Sequence, residues 1–303
     1  MKILREYITE LLRESYALTS MSIPEAMDYM STLEGRNIIF FDTETLGFTP
    51  KHQITQIAAM VVPLQKWGQD PIVTKEFDQK AKRTPETMFK LYTPRRPTEP
   101  GKRPRKNYAD VLKMTQYYDE DSIDDPAGSI DEEELLQNFI DFCSSVSNPV
   151  YAAHNAKFDM RMVNARAKEY GLSGLPSAPV LDTLSLVKFF VRPALKSAIA
   201  GSSAEEIAKR ATPGRDVSAR LGDLASAMDI DIENWHNAKA DVEMMFKVIG
   251  NAVVLLSDEE QYDLEKAEKL SKKERERYKR TKKKVRKKQS GMARRSKMGK
   301  EIY

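Results

Sequence analysis

Two short apolar runs near the start of the sequence limit the fold more than any other feature. Residues 37–41 form a mostly apolar run that ends directly at Asp42, and residues 53–62 form a second run rich in β-branched and apolar side chains. Runs of this length are typical of strands, because helices are usually longer. Further strands are predicted around residues 72–77 and over residues 149–153. The first half of the chain therefore supplies most of a sheet.

Helical patterns alternate with these strands toward the C-terminus. Strands that alternate with helices indicate an α/β fold. A polar insertion at residues 201–215 has no clear pattern, and a basic, proline-rich stretch at residues 93–106 is predicted to be an exposed loop. The predicted helices cover residues 84–92, 131–144, 183–191, 218–228 and 238–256, and one more begins near residue 156.

The first 35 residues are predicted to form a helical extension. Apolar residues at helical spacing in residues 1–15 predict one amphipathic helix. Ser22 and Glu25 stand in capping-box relation at the start of a second helix, predicted over residues 24–33. Two interpretations stay open, since these helices either pack on the rest of the protein or dock a protein partner through residues 1–15.

The charge of the chain is divided between an acidic body and a basic arm. The 303 residues include 49 Lys and Arg and 45 Asp and Glu, a net charge of +4. Residues 265–303 alone carry 18 basic and 5 acidic residues, which leaves the first 264 residues with a net charge of −9. A solvated helix to about residue 278, followed by a segment that is disordered unless bound, is predicted. The arm is a candidate for contact with nucleic acid or, alternatively, with a protein partner.

The composition argues against two classes of protein. No apolar run approaches the ~18 residues that span a bilayer, and charged residues interrupt the apolar pattern at the N-terminus, so neither a membrane protein nor a secretory signal is indicated. The single cysteine, Cys143, allows no intramolecular disulfide and no cysteine cluster for a metal. We expect Cys143 to pack in the core of a cytoplasmic protein.

Four carboxylates stand at the ends of predicted strands or in the first turns of predicted helices. Asp42 and Glu44 are two residues apart at the end of the first strand, so their side chains point to the same face. Asp159 and Asp241 lie near the starts of helices further along the chain. Such positions can converge at one edge of an α/β sheet. Carboxylates placed together repel each other without a cation, and a set of oxygen ligands favours Mg²⁺ or Mn²⁺ over Zn²⁺.

Three motifs in this order resemble those of a known family, the DEDDh 3′→5′ exonucleases of the DnaQ-like, ribonuclease H-like superfamily. Residues 41–47 (FDTETLG) resemble the first motif, residues 154–159 (HNAKFD) the second, and residues 236–241 (HNAKAD) the third. The histidine five residues before the last aspartate marks this branch. An Asp-Thr-Leu element at residues 182–184 also matches.

The resemblance covers residues 36–256 and implies the domain organisation. It implies a ribonuclease H-like mixed five-stranded sheet flanked by helices, in an exonuclease domain at residues 36–258. The helical extension then occupies residues 1–35, and the basic arm residues 259–303. The absence of polymerase sequence makes the chain similar to free-standing exonucleases of bacteria or phages, which would work in the cytoplasm of a bacterial or phage-infected cell.

The resemblance also implies the chemistry. It implies hydrolysis of DNA, single-stranded by preference, from the 3′ end with release of nucleoside 5′-monophosphates, using two divalent cations, Mg²⁺ or Mn²⁺. By this resemblance, Asp42 is a ligand of both ions, Glu44 and Asp241 complete the first site, and Asp159 supports the second. His236 is the general base, since an imidazole with a pKa of about 6.5 accepts a proton near neutral pH. Contacts to the terminal nucleotide are implied for Thr43, Thr45, Leu46, Asn155 and Phe158, with Leu46 against its base.

Two alternative functions stay open. The first is the same reaction on RNA, whose recognition depends on a contact to the 2′-hydroxyl that no motif reveals. The second is a catalytically silent adaptor that binds nucleic acid through the basic arm. The presence of all four carboxylates and of the histidine argues against the adaptor, because an inactive protein has no chemical need for that set.

The other notable polar residues are interpreted as structural. His52 is predicted to lie in a loop, and His154 to order the second motif through hydrogen bonds rather than to bind metal. Asp182 precedes a predicted helix and is therefore expected to cap it rather than to act as a fifth ligand.

Overall fold

A computed structural model of the protein has a five-stranded sheet at its centre. The structure describes residues 18–70, 72–83, 125, 127–212, 216–231 and 238–298, with side chains as far as residue 284. The strands are Asn37–Thr45 (β1), Ile54–Pro63 (β2), Lys75–Lys80 (β3), Pro149–Ala153 (β4) and Val180–Asp182 (β5). They lie in the order β3-β2-β1-β4-β5.

Strand β1 is the central strand. It pairs antiparallel with β2, from Asn37 opposite Pro63 to Thr45 opposite Ile54, and parallel with β4. Strand β3 pairs antiparallel with β2, and β5 pairs parallel with β4. The prediction of an α/β fold with a mixed five-stranded sheet is therefore confirmed, and the C-terminal ends of β1, β4 and β5 meet at one edge of the sheet.

Helices cover both faces of this sheet. One face carries α2 and α3, and the other carries the remaining helices. The α-helices of the described residues are Ile23–Ser31 (α1), Glu132–Ser144 (α2), Ala156–Glu169 (α3), Thr183–Leu186 (α4), Arg192–Lys196 (α5), Ser203–Arg210 (α6), Leu221–Ala227 (α7), Ala238–Ser257 (α8) and Leu264–Met298 (α9), with a π-helical stretch at Val187–Val191 between α4 and α5.

Alternating side chains of β1 build the two cores. Ile38 and Phe40 point to the face covered by α8, where the ring of Phe40 meets that of Phe246 edge-on with centroids 5.3 Å apart. Ile39 and Phe41 point to the face covered by α2 and α3. The strand is buried on both faces, which explains why its sequence is a continuous apolar run rather than an alternating one.

Helix α1 packs into the hydrophobic core on one face of the sheet. Ser22 and Glu25 form the predicted capping box, with both of its hydrogen bonds present. Met30 is buried in the core, and the indole N–H of Trp67 donates to its carbonyl oxygen at 2.9 Å. The boundary predicted at residue 35 therefore runs through a single hydrophobic core. The helix predicted within residues 1–15 lies outside the described residues.

Strand β3 begins three residues later than predicted. The prediction followed the apolar residues Ile72 and Val73, but these side chains are exposed and precede the strand. The observed strand, Lys75–Lys80, has charged residues and only Phe77 buried. Charge on an edge strand discourages pairing with a second molecule, so an apolar pattern is a poor guide to such a strand.

The C-terminal half contains more helix than predicted. Helix α6 lies inside the insertion at residues 201–215, for which no pattern was found. Helix α9 runs to Met298, whereas disorder was predicted beyond Arg280; Lys, Arg and Gln are good helix formers, which accounts for the difference. Tyr262 and Ala267 are buried in the core, so the segment after residue 258 does not begin as a free arm.

Three further predictions concern Cys143, membrane-spanning helices and residues 84–106. Cys143 is buried among apolar side chains, as predicted. No helix among the described parts of the chain is long and apolar enough to cross a membrane. The predicted helix at residues 84–92 and the basic loop at residues 93–106 lie outside the described residues.

Candidate metal centre and active site

Three of the predicted carboxylates converge on one point. Asp42 and Glu44 lie at the end of β1 and, in the alternation of that strand, face the same side as Phe40. Asp241 lies in the first turn of α8, which packs on that side. One oxygen from each of these three carboxylates lies within 4.8 Å of the others. Among the described residues, this is the group whose spacing suits a metal ion.

The fourth carboxylate reaches the site from the opposite face of the sheet. Thr43 lies between the two acidic residues of β1 and points toward α3, where Asp159 occupies the first turn. The Thr43 hydroxyl donates a hydrogen bond to Oδ1 of Asp159 at 2.7 Å, and both side chains are buried. The central residue of the first motif therefore fixes the aspartate of the second.

A β-bulge shapes the end of β1. The register with β2 shifts between Glu44 and Thr45. Thr55, which lies opposite this shift, donates its hydroxyl hydrogen to the carbonyl oxygen of Glu44 at 3.1 Å. The bulge ends the regular pairing at the point where the strand delivers its second carboxylate, and bulges near active sites commonly redirect a side chain in this way.

The loop after β1 requires a glycine at position 47. The ring of His52 lies so close that a Cβ on Gly47 would approach it to 2.8 Å. Nδ1 of His52 is 2.8 Å from the Thr49 hydroxyl oxygen. His52 therefore lies in a loop, as predicted, and packs against the last residue of the first motif, Gly47.

Hydrogen bonds order the second motif. Asp182 accepts from the backbone N–H of Leu184 at 3.2 Å, which confirms its role as the cap of α4, and from the N–H of Asn155 at 3.2 Å. The ring of His154 lies 3.2 Å from the Thr183 hydroxyl through Nδ1 and 3.2 Å from the Ala219 carbonyl through Nε2. Burial lowers the pKa of His154. The hydrogen bonds predicted for His154 and the helix cap predicted for Asp182 are therefore present.

A buried ion pair fixes helix α3 to the sheet. The carboxylate of Glu132 accepts from the Arg166 guanidinium at 2.5 Å and 2.9 Å, from the Tyr170 hydroxyl at 2.9 Å and from the Ile54 backbone N–H at 2.8 Å. Arg166 lies two turns after Asp159 on α3. The network ties the start of β2 to the helix that presents the fourth carboxylate.

Burial and mutual repulsion raise the pKa values of these acids. The pKa of Asp42 is raised well above its usual range by burial first, and then by the charges of Asp159, Glu44 and Asp241. Burial, together with Asp241 and Asp159, raises the pKa of Glu44 to about 8, and burial raises that of Asp159 to about 7. A group of acids that are at least half-buried and whose ionised forms repel each other is suited to a divalent cation, which neutralises that charge.

The remaining predicted site residues lie around this cluster with different exposure. Thr45 donates its hydroxyl hydrogen to the Gly47 carbonyl at 2.9 Å. Leu46 is buried, with 4% of its surface exposed. Asn155 is exposed and precedes α3 in a left-handed conformation, and Phe158 is half-buried on that helix. The predicted general base, His236, lies outside the described residues.

Two residues near the site were not foreseen. Phe48 is 84% exposed and meets the ring of Phe158 edge-on, with centroids 6.3 Å apart. Arg161 donates to the Phe48 carbonyl at 2.9 Å and places its guanidinium 5.8 Å from the centroid of the Phe158 ring. The available signal was an apolar aromatic residue directly after Gly47, in a segment otherwise typical of a loop.

Comparison with known proteins identifies one matching family model. A model described as the exonuclease domain of DNA polymerase family B matches residues 28–208. This range contains the first two motifs and ends before the third. Among curated proteins, no sequence matches significantly.

Comparison with solved structures gives several matches at low sequence identity. E. coli Exonuclease I in complex with a dT13 oligonucleotide is 19% identical, with 71% of this chain and 40% of that chain covered and a TM-score of 0.48. S. pombe Pop2p in an Mg²⁺- and Mn²⁺-bound form is 11% identical, with coverages of 76% and 88% and a TM-score of 0.42. Cell-death related nuclease 4 is 11% identical, with coverages of 71% and 63% and a TM-score of 0.39. This chain therefore spans less than half the length of Exonuclease I.

Proposed function

Since this chain belongs to the family of the DNA polymerase family B exonuclease domain, we propose that it hydrolyses nucleic acid from the 3′ end with divalent metal ions. The preferred substrate in this proposal is single-stranded DNA, and the products are nucleoside 5′-monophosphates. The observation that carries the proposal is the convergence of Asp42, Glu44 and Asp241 within 4.8 Å.

The carboxylates act as ligands in this proposal. Asp42, Glu44 and Asp241 would hold one Mg²⁺ or Mn²⁺, and Asp42 and Asp159 would support a second. When bound, a pair of such ions supplies a nucleophilic water and neutralises charge at the scissile phosphate. Thr43 acts as a positioning residue, because its hydroxyl is hydrogen-bonded to Asp159 rather than directed to solvent.

His236 is the proposed general base. It stands five residues before Asp241 in the sequence, and Asp241 is part of the carboxylate cluster. A neutral imidazole in this position takes the proton of the attacking water. A histidine can do this near neutral pH because its ordinary pKa is about 6.5.

The terminal nucleotide contacts the loop after β1 and the start of α3 in this proposal. Phe48 directly follows the first motif in the sequence and its ring meets that of Phe158 in the second motif, and aromatic side chains bind bases by stacking. We assign to Phe48 the base contact expected of Leu46, because Leu46 is buried and Phe48 is exposed. Asn155 and Thr45 remain candidates for contacts to the sugar and the last phosphate.

A labelled oligonucleotide tests this function. Single-stranded DNA and RNA of one sequence, labelled at the 5′ end, are incubated with Mg²⁺, with Mn²⁺ or with EDTA. We expect a ladder that shortens from the 3′ end, requires the metal and is absent for Asp42→Asn. A 3′-terminal phosphorothioate should slow the reaction. Cleavage that persists in EDTA, or a wild-type protein inactive with both ions, would overturn the proposal.

The same assay separates the alternative functions. Faster shortening of RNA would establish the ribonuclease, and binding of both strands without cleavage would establish the adaptor. We further propose that the protein works in the cytoplasm of a bacterial or phage-infected cell, which localisation of a tagged full-length chain would test.

A further inference from the structure

Helix α9 changes character at Tyr278. Before this residue the helix packs on the domain: Ala267 and Ser271 are fully buried, and the ring of Tyr278 meets that of Phe189 with centroids 5.5 Å apart. Leu264, Ala267, Ser271 and Tyr278 are separated by three, four and seven residues, which places them on one stripe of the helix. We call residues 264–278 the docked segment and residues 279–298 the cationic segment.

Polar contacts strengthen the attachment of the docked segment. Glu268 accepts a hydrogen bond from the backbone N–H of Ile23 at the start of α1. Glu274 lies 3.7 Å from the ammonium group of Lys196. Two of the four acids of the docked segment, Glu268 and Glu274, thus hold the helix on the body of the protein.

The cationic segment has a different composition. It carries 11 Lys and Arg and no acidic residue, whereas the docked segment carries 6 basic and 4 acidic residues. Lys279, Arg280, Lys283 and Lys284 are exposed. Arg280 lies 3.5 Å from Glu276, one turn earlier, but residues 281–298 contain no acid that could form such a pair within the helix.

We infer that the cationic segment is a phosphate-binding helix that holds a nucleic-acid strand outside the carboxylate site. Twenty helical residues extend about 30 Å, so 11 charges give about one per 3 Å. Duplex DNA carries about one charge per 1.7 Å, a density of the same order and opposite sign. That the segment binds a polyanion follows from its charge. That this polyanion is nucleic acid rests on the proposed function.

The composition favours nucleic acid over a membrane surface. Large apolar residues in the cationic segment are limited to Val285, Met292 and Met298, and a helix that lies in a membrane interface needs a continuous apolar face. Basic residues also stand four apart, as at positions 279 and 283 and at 280 and 284, and such like-charged pairs destabilise a free helix. Phosphates would remove this repulsion.

Two matched triple variants test the inference in an Asp42→Asn background without divalent metal. The first replaces Lys279, Lys283 and Lys284 by Gln in the cationic segment. The control replaces Lys266, Lys272 and Lys273 by Gln in the docked segment, where these side chains are equally exposed. Binding of a labelled 30-nucleotide single strand is measured across a salt series. Each lost phosphate contact lowers the slope of log affinity against log salt by about 0.7, so the first triple should lower it by about 2 and the control by little.

A truncation that ends at Tyr278 provides a second measurement. Because it keeps the docked segment, we expect its melting temperature to stay within a few degrees of the full chain, its rate on a trinucleotide to be unchanged and its salt slope to fall further.

The outcomes distinguish this inference from the proposed function. Equal salt slopes for the two triple variants would overturn the inference even if cleavage is normal. Segment-dependent binding to vesicles with anionic lipid, without such binding to nucleic acid, would also overturn it and indicate a membrane. Segment-dependent nucleic-acid binding by a wild-type protein that never cleaves would support the inference and reject the nuclease.

Discussion

The hydroxyl of Thr43 donates to the carboxylate of Asp159 across the end of the sheet, at 2.7 Å. One residue of the central strand thereby links the first and second motifs, while its neighbours Asp42 and Glu44 face the other side. The four carboxylates therefore do not all approach the site from the same face of the sheet. Three approach from the α8 side, and the fourth is positioned by a side chain that passes to the α3 side.

Replacing Thr43 by Val tests this link. The change removes the hydroxyl but keeps the shape, and a hydrogen bond to a charged group contributes about 1.5 to 3 kcal/mol. We expect a loss of roughly 10- to 100-fold in turnover. The bond lowers the pKa of Asp159, so the activity profile should also move to higher pH. Thr43→Ser should restore both, and a Val variant with an unchanged profile would show that the bond is unimportant.

The roles of Asp42 and Asp182 should separate in metal binding. We expect Asp42→Ala to abolish activity and to weaken Mn²⁺ binding, because it removes a central oxygen ligand. Asp182→Ala should leave Mn²⁺ affinity intact and cost about 1 kcal/mol of stability, since it removes a helix cap. Calorimetric titration of the two variants with Mn²⁺ measures the difference. Undiminished affinity in Asp42→Ala would exclude the proposed metal site.

The stability of the metal-free protein should fall as the pH rises. The pKa is raised to about 8 for Glu44 and about 7 for Asp159, so between about pH 4 and pH 8 the folded state holds protons that the unfolded chain has released. The free energy of unfolding then decreases across this window. Melting curves in EDTA at pH 5 and pH 8 measure the fall, which Mn²⁺ should reverse.

A variant provides the control for that pH effect. Asp42→Asn removes one of the half-buried, mutually repelling charges, so at pH 8 in EDTA it should raise the melting temperature by roughly 2 to 4 °C for each kcal/mol of repulsion relieved. The same substitution at pH 5 should have a smaller effect. A lower melting temperature at pH 8 would contradict the electrostatic explanation.

His236→Ala should lower turnover by about 10²- to 10⁴-fold, the range expected when a general base is lost. Substrate binding should change little, because the residue acts on water rather than on the strand. Single-turnover rates with a saturating oligonucleotide separate the two effects. A near-normal rate at neutral pH would exclude His236 from the mechanism.

Much of the site could be predicted because it depends on short stretches of neighbouring residues in the sequence. The apolar run before Asp42 predicts a buried strand, and the two-residue spacing to Glu44 places both carboxylates on one face. The resemblance to 3′→5′ exonucleases, which rests on three short motifs, is confirmed by the family match. The capping role of Asp182 was also predictable, since it depends only on the residues next to it.

Other features depend on distant contacts that no local pattern contains. The position of β3 is set by pairing with β2, from Lys75 opposite Val61 onward, rather than by its own apolar residues. The buried pair of Glu132 and Arg166 joins residues 34 positions apart. Likewise, the path of the loop buries Leu46 and exposes Phe48. The sequence does not contain this path, so the resemblance implied the base contact for Leu46.

The hydrogen bond between Ile23 and Glu268 joins positions 245 residues apart. Around it, α1 and the docked segment of α9 share one hydrophobic cluster with the side of the sheet that carries Asp42. A chain emerging from the ribosome cannot complete this cluster until Ala267 has been made, because Ala267 is the last buried residue of the cluster. Such long-range closure is slow and leaves apolar surface open to water in the meantime. Ribosome stalling before that point would therefore leave fragments with exposed apolar surface, so folding of the body depends on synthesis of the docked segment.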